Sequence, residues 1–115
     1  MIEDFTRDYL DKNVEQPVSV GRPSPMPPRF FAIKKGESQV LNMIPTATIT
    51  VYSYAPTEFE AATMNQAVKA QMQAMAELPE ICRVALDTDF SSPDTEVKSP
   101  RYQAIFYVTY YESEV

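Results

Sequence analysis

The chain has no histidine, no tryptophan, one cysteine and two glycines in 115 residues. Each shortage removes a class of function. Without histidine there is no Ser-His or Cys-His nucleophile pair and no imidazole to ligate a metal. One cysteine, Cys82, excludes an internal disulfide and suits a reducing compartment. Two glycines, Gly21 and Gly36, leave no glycine-rich loop to cradle a phosphate. No apolar run approaches the roughly 20 residues that span a bilayer, so no membrane partner is expected. The opening residues Met1-Ile2-Glu3-Asp4-Phe5 lack a basic segment, so no signal peptide is expected.

What is present argues for a folded chain. Apolar residues make up 44% of it, with seven Tyr and six Phe. That is enough apolar area to offset ordering entropy, so disorder is excluded. The length fits one domain, 1–115, that buries roughly two-thirds of its extended surface. Net charge is −6, and its distribution is uneven. Residues 16–36 carry Arg22, Arg29, Lys34 and Lys35 and no acid, while the segments on either side are acidic on balance. Four cations on an acidic chain are a poor footprint for nucleic acid. They fit either a solvated basic strand pair or a basic face that docks on an acidic face of a neighbouring copy.

The organising unit is Thr46–Leu78. Ala47, Ile49 and Val51 alternate with Thr46, Thr48, Thr50, Tyr52 and Tyr54, the pattern of a half-buried strand. Ala55-Pro56 breaks it. Thr57-Glu58-Phe59-Glu60 has capping-box spacing, with Thr57 and Glu60 each satisfying the other's amide. A helix to Leu78 follows, with Ala61, Met64, Val68, Met72, Met75 and Leu78 at spacings of three and four. That stripe reads as core, widened by Ala62, Ala67, Ala70 and Ala74, and Pro79 ends it.

The remaining elements follow the same logic. Ile2, Phe5, Tyr9 and Leu10 place one stripe on a short helix over residues 2–13. Residues 17–22 form a short strand, and Pro23-Ser24-Pro25-Met26-Pro27-Pro28 a stiff loop. Residues 29–35 form a strand, Gly36 a turn or bulge, and residues 39–45 lead to the Thr46 strand. Residues 29–54 thus read as a long, edge-prone antiparallel pair, a hairpin with a loop between its halves and interrupted by Pro45. Residues 82–87 form a strand with Cys82, Val84 and Leu86 on its inner face, so Cys82 reads as an inert core thiol. Residues 87–100 form a long polar loop. Arg101–Tyr111 is apolar or aromatic on both faces, which marks a central strand or one with a face in an interface. The expected class is α+β: a mixed, mostly antiparallel sheet of about five strands, one long helix across a face and a short N-terminal helix.

No catalytic or metal constellation emerges. Asp87, Asp89, Asp94 and Glu96 suggest a calcium loop, but an EF-hand needs Gly at its sixth position and Glu at its twelfth. Counted from Asp87, those positions hold Ser92 and Lys98. The expectation is a non-enzyme with no cofactor.

Certain motifs carry a family resemblance. Arg22-Pro23 precedes a proline-rich loop leading to Pro28-Arg29-Phe30-Phe31. After the Thr/Val strand and the Ala-rich helix come Pro93-Asp94-Thr95 and then Ser99-Pro100-Arg101-Tyr102. Over nearly its whole length the chain resembles the small tail terminator (tail completion, minor tail) proteins of long, non-contractile-tailed phages. The resemblance implies a virion protein, made in the host cytoplasm, that forms a homo-oligomeric ring of about six subunits. The ring sits on the head-proximal end of the tail tube. It ends tube polymerisation and presents a surface to the head-completion proteins of the neck. DNA passes through the lumen without specific binding. A ring needs two different complementary patches per copy. The expected interface residues are Arg22, Arg29, Lys34, Lys35 and Arg101, with Asp87, Asp89, Asp94 and Glu96 as the acidic partners. Alternatives are another neck or tube component, namely a head-completion stopper or the tube subunit, and a ferredoxin-like small-molecule-binding module. The tube subunit is disfavoured because Pro45 interrupts the hairpin.

Overall fold

The computed structural model describes residues 1–41 and 44–115. Helix α1 (Ile2–Asn13) leads into strands β1 (Val18–Val20), β2 (Phe30–Leu41) and β3 (Ile44–Tyr54). Helix α2 (Glu58–Met75), strands β4 (Ile81–Ser91) and β5 (Arg101–Tyr110) and a short 3-10 turn complete the chain. The five strands form one sheet in the order β1-β2-β3-β5-β4. β1 runs parallel to β2, and the other three pairs are antiparallel. The fold is therefore the expected α+β arrangement, with β5 inside the sheet.

Both helices contribute to one core on one face of the sheet. Alternate strand residues Phe31 and Ile33, Ala47, Ile49 and Val51, and Ala104, Phe106 and Val108 point into it. Ile2 and Leu10 of α1 and Ala61, Met64, Val68, Met72 and Met75 of α2 close it from above. The period of two on the strands and of three to four on the helices brings these sets together. Full burial of each large member contributes about 1.5–3 kcal/mol.

The cap of α2 is half the expected box. Thr57 Oγ1 accepts the Glu60 amide at 3.2 Å. The Glu60 carboxylate accepts Arg29 Nη2 at 2.7 Å, a charge-assisted bond stronger than one to a neutral amide.

Several boundaries differ from expectation, each for a local reason. α2 stops at Met75, and residues 76–78 close with tight amide bonds back to Gln73, Ala74 and Met75. Pro79 disfavours helical geometry at Leu78, so the last turn tightens before it. Ala67, Ala70 and Ala74 are exposed rather than part of the stripe. β2 and β3 continue past Gly36 and through Pro45, with Val40 opposite Pro45. The break in register lies at residues 35–38, the bulge expected at Gly36, which sits with the Thr48 side chain 3.4 Å from its would-be Cβ. Pro45 is tolerated because the β5 ladder begins only at Thr46, so on that side the missing N–H leaves no partner unmet. β4 runs on to Ser91, so Asp87–Phe90 belongs to a strand and the loop shrinks to residues 92–100. β4 also breaks register between Ile81 and Arg83. That bulge puts Ile81 into the core and turns Cys82 outward, so Cys82 is exposed rather than a core thiol.

Candidate functional site

The face of the sheet away from the helices carries Phe30, Ala32 and Lys34 on β2 and Thr46, Thr48, Thr50, Tyr52 and Tyr54 on β3. Phe30 and Tyr54, opposite each other in register, stack with ring centroids 4.4 Å apart. With Ala32 and the flanking Tyr52 they form a second, smaller apolar cluster. The same alternation that fills the core with Ile49 and Val51 delivers Tyr52 and Tyr54 to this side.

An ion cluster is built on that aromatic base. Asp94, from the 92–100 loop, is 7% exposed. Its Oδ2 accepts the Tyr54 hydroxyl at 2.7 Å and Arg22 Nη1 at 3.4 Å, and lies 3.6 Å from Arg101 Nη1. Its Oδ1 accepts the Glu96 amide at 3.1 Å. Arg22 Nη2 also reaches Glu96 Oε2 at 2.7 Å. The Arg101 guanidinium lies 4.4 Å from the Tyr52 ring centre and donates to Tyr54 Oη and to the Ser92 carbonyl. A groove of about 520 Å³ opens beside the cluster, bounded by Gly21, Arg22, Lys34, Tyr52, Tyr54 and Arg101 among others. A larger open groove of about 670 Å³ runs between the end of α1 and α2, but its polar lining forms no comparable cluster.

The local backbone explains how Asp94 is presented. Asp94 and Ser99 exchange amide–carbonyl bonds of 2.9 and 3.1 Å, which closes the loop on itself. Lys98 adopts φ 52°, the left-handed region, at the tight end of that turn. Ser92 donates its amide to the Arg101 carbonyl at 2.8 Å, so the loop base is an extension of the β4–β5 ladder.

The electrostatics favour holding over proton transfer. Burial alone would raise the Asp94 carboxyl; the Tyr54 hydroxyl, the Glu96 amide, Arg101 and Arg22 outweigh it and hold it below the ordinary carboxylate value. Burial, then the bond to Asp94, pushes the Tyr54 phenol up. A carboxylate kept ionised by three hydrogen-bond donors and the nearby Arg101 is a weak base, and a phenol kept protonated is a weak nucleophile. Among the described residues no group of three or more Cys, Asp or Glu is placed to hold a metal. No helix among them is long and apolar enough to cross a membrane.

Of the residues singled out in the sequence, Arg22, Asp94, Glu96 and Arg101 meet in this cluster, within one chain. Arg29 pairs elsewhere, with Glu60 at the start of α2, and that contact holds the Glu60 carboxyl below its usual value. Asp89 accepts Asn65 Nδ2 at 2.8 Å and Lys69 Nζ at 2.9 Å, tying β4 to α2. Lys34 and Lys35 on β2 and Asp87 on β4 form no ion pair among the described residues. Tyr54, Tyr52, Asn65 and Lys69 were not singled out as partners. Strand alternation put both tyrosines on the right face, but only the register names Arg101 as the residue opposite Tyr54. No protein-family model matches the chain, and no curated protein matches it.

Proposed function

We propose that the chain is the tail terminator of a long, non-contractile-tailed phage or prophage. In this reading it forms a ring, of about six copies, on the head-proximal end of the tail tube. It stops tube growth and offers a docking surface to the head-completion proteins of the neck. The work is done by interfaces, without a cofactor. The protein is made in the host cytoplasm and resides in the virion.

The observation that carries the reading is the convergence of three of the four resembling motifs. Arg22 of Arg-Pro, Asp94 of Pro-Asp and Arg101 of Pro-Arg-Tyr are far apart in sequence, yet Arg22 and Arg101 lie 3.4 and 3.6 Å from one carboxylate oxygen of Asp94. A pattern spread over the chain for no shared reason would not be expected to close on one atom. The cluster fixes a loop on the open side of the sheet, and rigid presentation of a loop is what a docking surface needs. The acidic balance of the chain suits a lumen through which DNA slides.

The test is removal of the gene from the phage or prophage that carries it, followed by electron microscopy of the particles. Over-long tubes and heads without tails are expected. Tails of normal length joined to heads would overturn the reading. One observation favours a second reading, the tube subunit itself: the β2–β3 hairpin is continuous through Pro45. Purified protein separates the two. A tube subunit grows open-ended cylinders at high concentration, whereas a terminator stops at a single ring.

A further inference from the structure

The sheet has two unequal edges. β1 covers β2 only from Phe31 to Ile33, and the Gly21 amide makes the last bond, to the Ile33 carbonyl. Gly21 has φ 77° and turns the chain away there. From Lys34 onward no strand among the described residues covers the outer edge of β2. The opposite edge is β4, which pairs on one side only.

These edges lie at the same height. Lys34 is level with Thr50, which is level with Ile105, which is level with Thr88. By the same route Lys35 is level with Leu86, and Gln39 with Arg83. Asp87 is the bulged residue between Leu86 and Thr88. Lys34 and Lys35, which form no ion pair among the described residues, therefore stand at the height of Asp87, which likewise forms none among them, on opposite edges. Glu37, in the β2 bulge, stands within two positions of the height of Arg83.

Strand direction completes the match. β2, β3, β5 and β4 alternate, so β4 runs opposite to β2. A rotation that carries one copy beside the next brings β4 against β2 in antiparallel sense, the more stable ladder.

We propose that the Lys34–Val40 edge of one copy pairs with the Arg83–Thr88 edge of a second copy, giving a head-to-tail sheet locked by Lys34 and Lys35 against Asp87. The inference rests on the ring reading for its rotation. The contact is heterologous, so it repeats around the ring and leaves neither edge bare. Exposed edges are a hazard, and mutual coverage in the ring removes it. A two-fold pairing of β4 with β4 is the competing arrangement. It would set Arg83 against Asp87 but leave the β2 edge and both lysines uncovered.

The single native cysteine makes the test direct. Cys82 is exposed on β4, level with the Gln39–Val40 end of β2. A second cysteine is placed singly at Glu37, Gln39 or Val40 in the full chain, which is then oxidised at high concentration. Residues 37–40 and Cys82 lie on opposite edges of one sheet, so a disulfide between them joins two copies. At least one variant is expected to give a ladder of dimers, trimers and larger species, where the wild type stops at dimers. Adding Lys34→Glu and Lys35→Glu should abolish species above the dimer, and Asp87→Lys on top of them should restore the ladder. Thr88→Cys is the control for the two-fold arrangement, which predicts dimers through Cys82 and no ladder from positions 37–40.

Absence of a ladder at all three positions overturns the proposal. If native mass spectrometry still shows a ring, the terminator reading survives that failure. A ladder from a protein whose loss leaves tail length unchanged has the opposite meaning: the edge pairing stands and the terminator reading falls.

Discussion

Replacing Asp94 with Ala tests whether the ion cluster holds the 92–100 loop to the sheet. The substitution removes the Tyr54 hydroxyl's acceptor at 2.7 Å, the Glu96 amide's acceptor at 3.1 Å and the counter-charge of two arginines. Breaking a fully buried pair costs about 3–5 kcal/mol. The side chain of Arg101 is 18% exposed and that of Arg22 36% exposed. Water therefore recovers part of the loss, and Arg22 keeps Glu96. A cost of about 2–3 kcal/mol is expected, with a hydrogen bond to a charged group at about 1.5–3 kcal/mol as the main part. For this length the entropy of unfolding is about 0.24 kcal/mol per kelvin, so the melting temperature should fall by about 8–12 °C. Urea unfolding followed by far-ultraviolet circular dichroism gives the free energy. Amide hydrogen exchange at Ser92, Asp94, Glu96 and Ser99 shows whether the loss is local. Asp94→Asn keeps an acceptor for Tyr54 and removes the charge, and it should fall between Ala and the wild type. A change within about 0.5 kcal/mol for Asp94→Ala, the scatter of ordinary surface substitutions, would refute the clamp.

Other expectations follow from burial, capping and titration. Phe106→Ala, at a side chain with 0% exposure in the centre of the sheet, should cost about 3–5 kcal/mol in the same urea experiment. Thr57→Ala should cost about 1 kcal/mol, because it removes the acceptor of the Glu60 amide and leaves the core intact; no change would mean that water replaces the cap. The folded carboxyl of Asp94 is lowered, so its contribution is complete above its unfolded value near 3.8 and is lost as pH falls below that. Tyr54 is raised, so its contribution is complete below 10.0 and declines as pH rises above that. Urea midpoints measured across both windows should show the acid limb shrink in Asp94→Asn and the alkaline limb shrink in Tyr54→Phe, with Glu60, also lowered, keeping part of the acid limb.

The core was legible because its residues repeat. Ala47, Ile49 and Val51, and Met64, Val68, Met72 and Met75, announce period and face in a single window. β5 was legible as an inner strand because Ile105 and Tyr107 are as apolar as Phe106 and Val108. The bulge at Gly36 was legible because a glycine marks it, but the bulges of β4 were not. One extra residue at Cys82 reverses which neighbour points inward, and no residue there is a glycine that would signal it. The antiparallel pairing over residues 29–54 was legible, but its continuity through Pro45 was not: Pro45 forbids a ladder bond on one side only, and which side is unpaired depends on where β5 stops. The candidate residues Arg22, Asp94, Glu96 and Arg101 were visible as charges at sequence motifs. Their mutual attachment was not, because it needs the register that sets Tyr54 opposite Arg101. A charge map alone therefore does not show that Arg22, Arg29, Asp94 and Glu96 take part in ion pairs within the chain.

The Asp94 cluster also has a place in time. Its members come from residues 22, 54, 94 and 101, so it cannot close until β3 and β5 are paired and the proline-rich loop is laid down. Contacts of such long sequence separation come late, after the loop-closure entropy has been met. Substitutions in the cluster should then leave the refolding rate nearly unchanged and put their whole cost into faster unfolding. The cluster would thus act as a latch on the finished fold, lengthening the lifetime of each folded copy rather than hastening its formation.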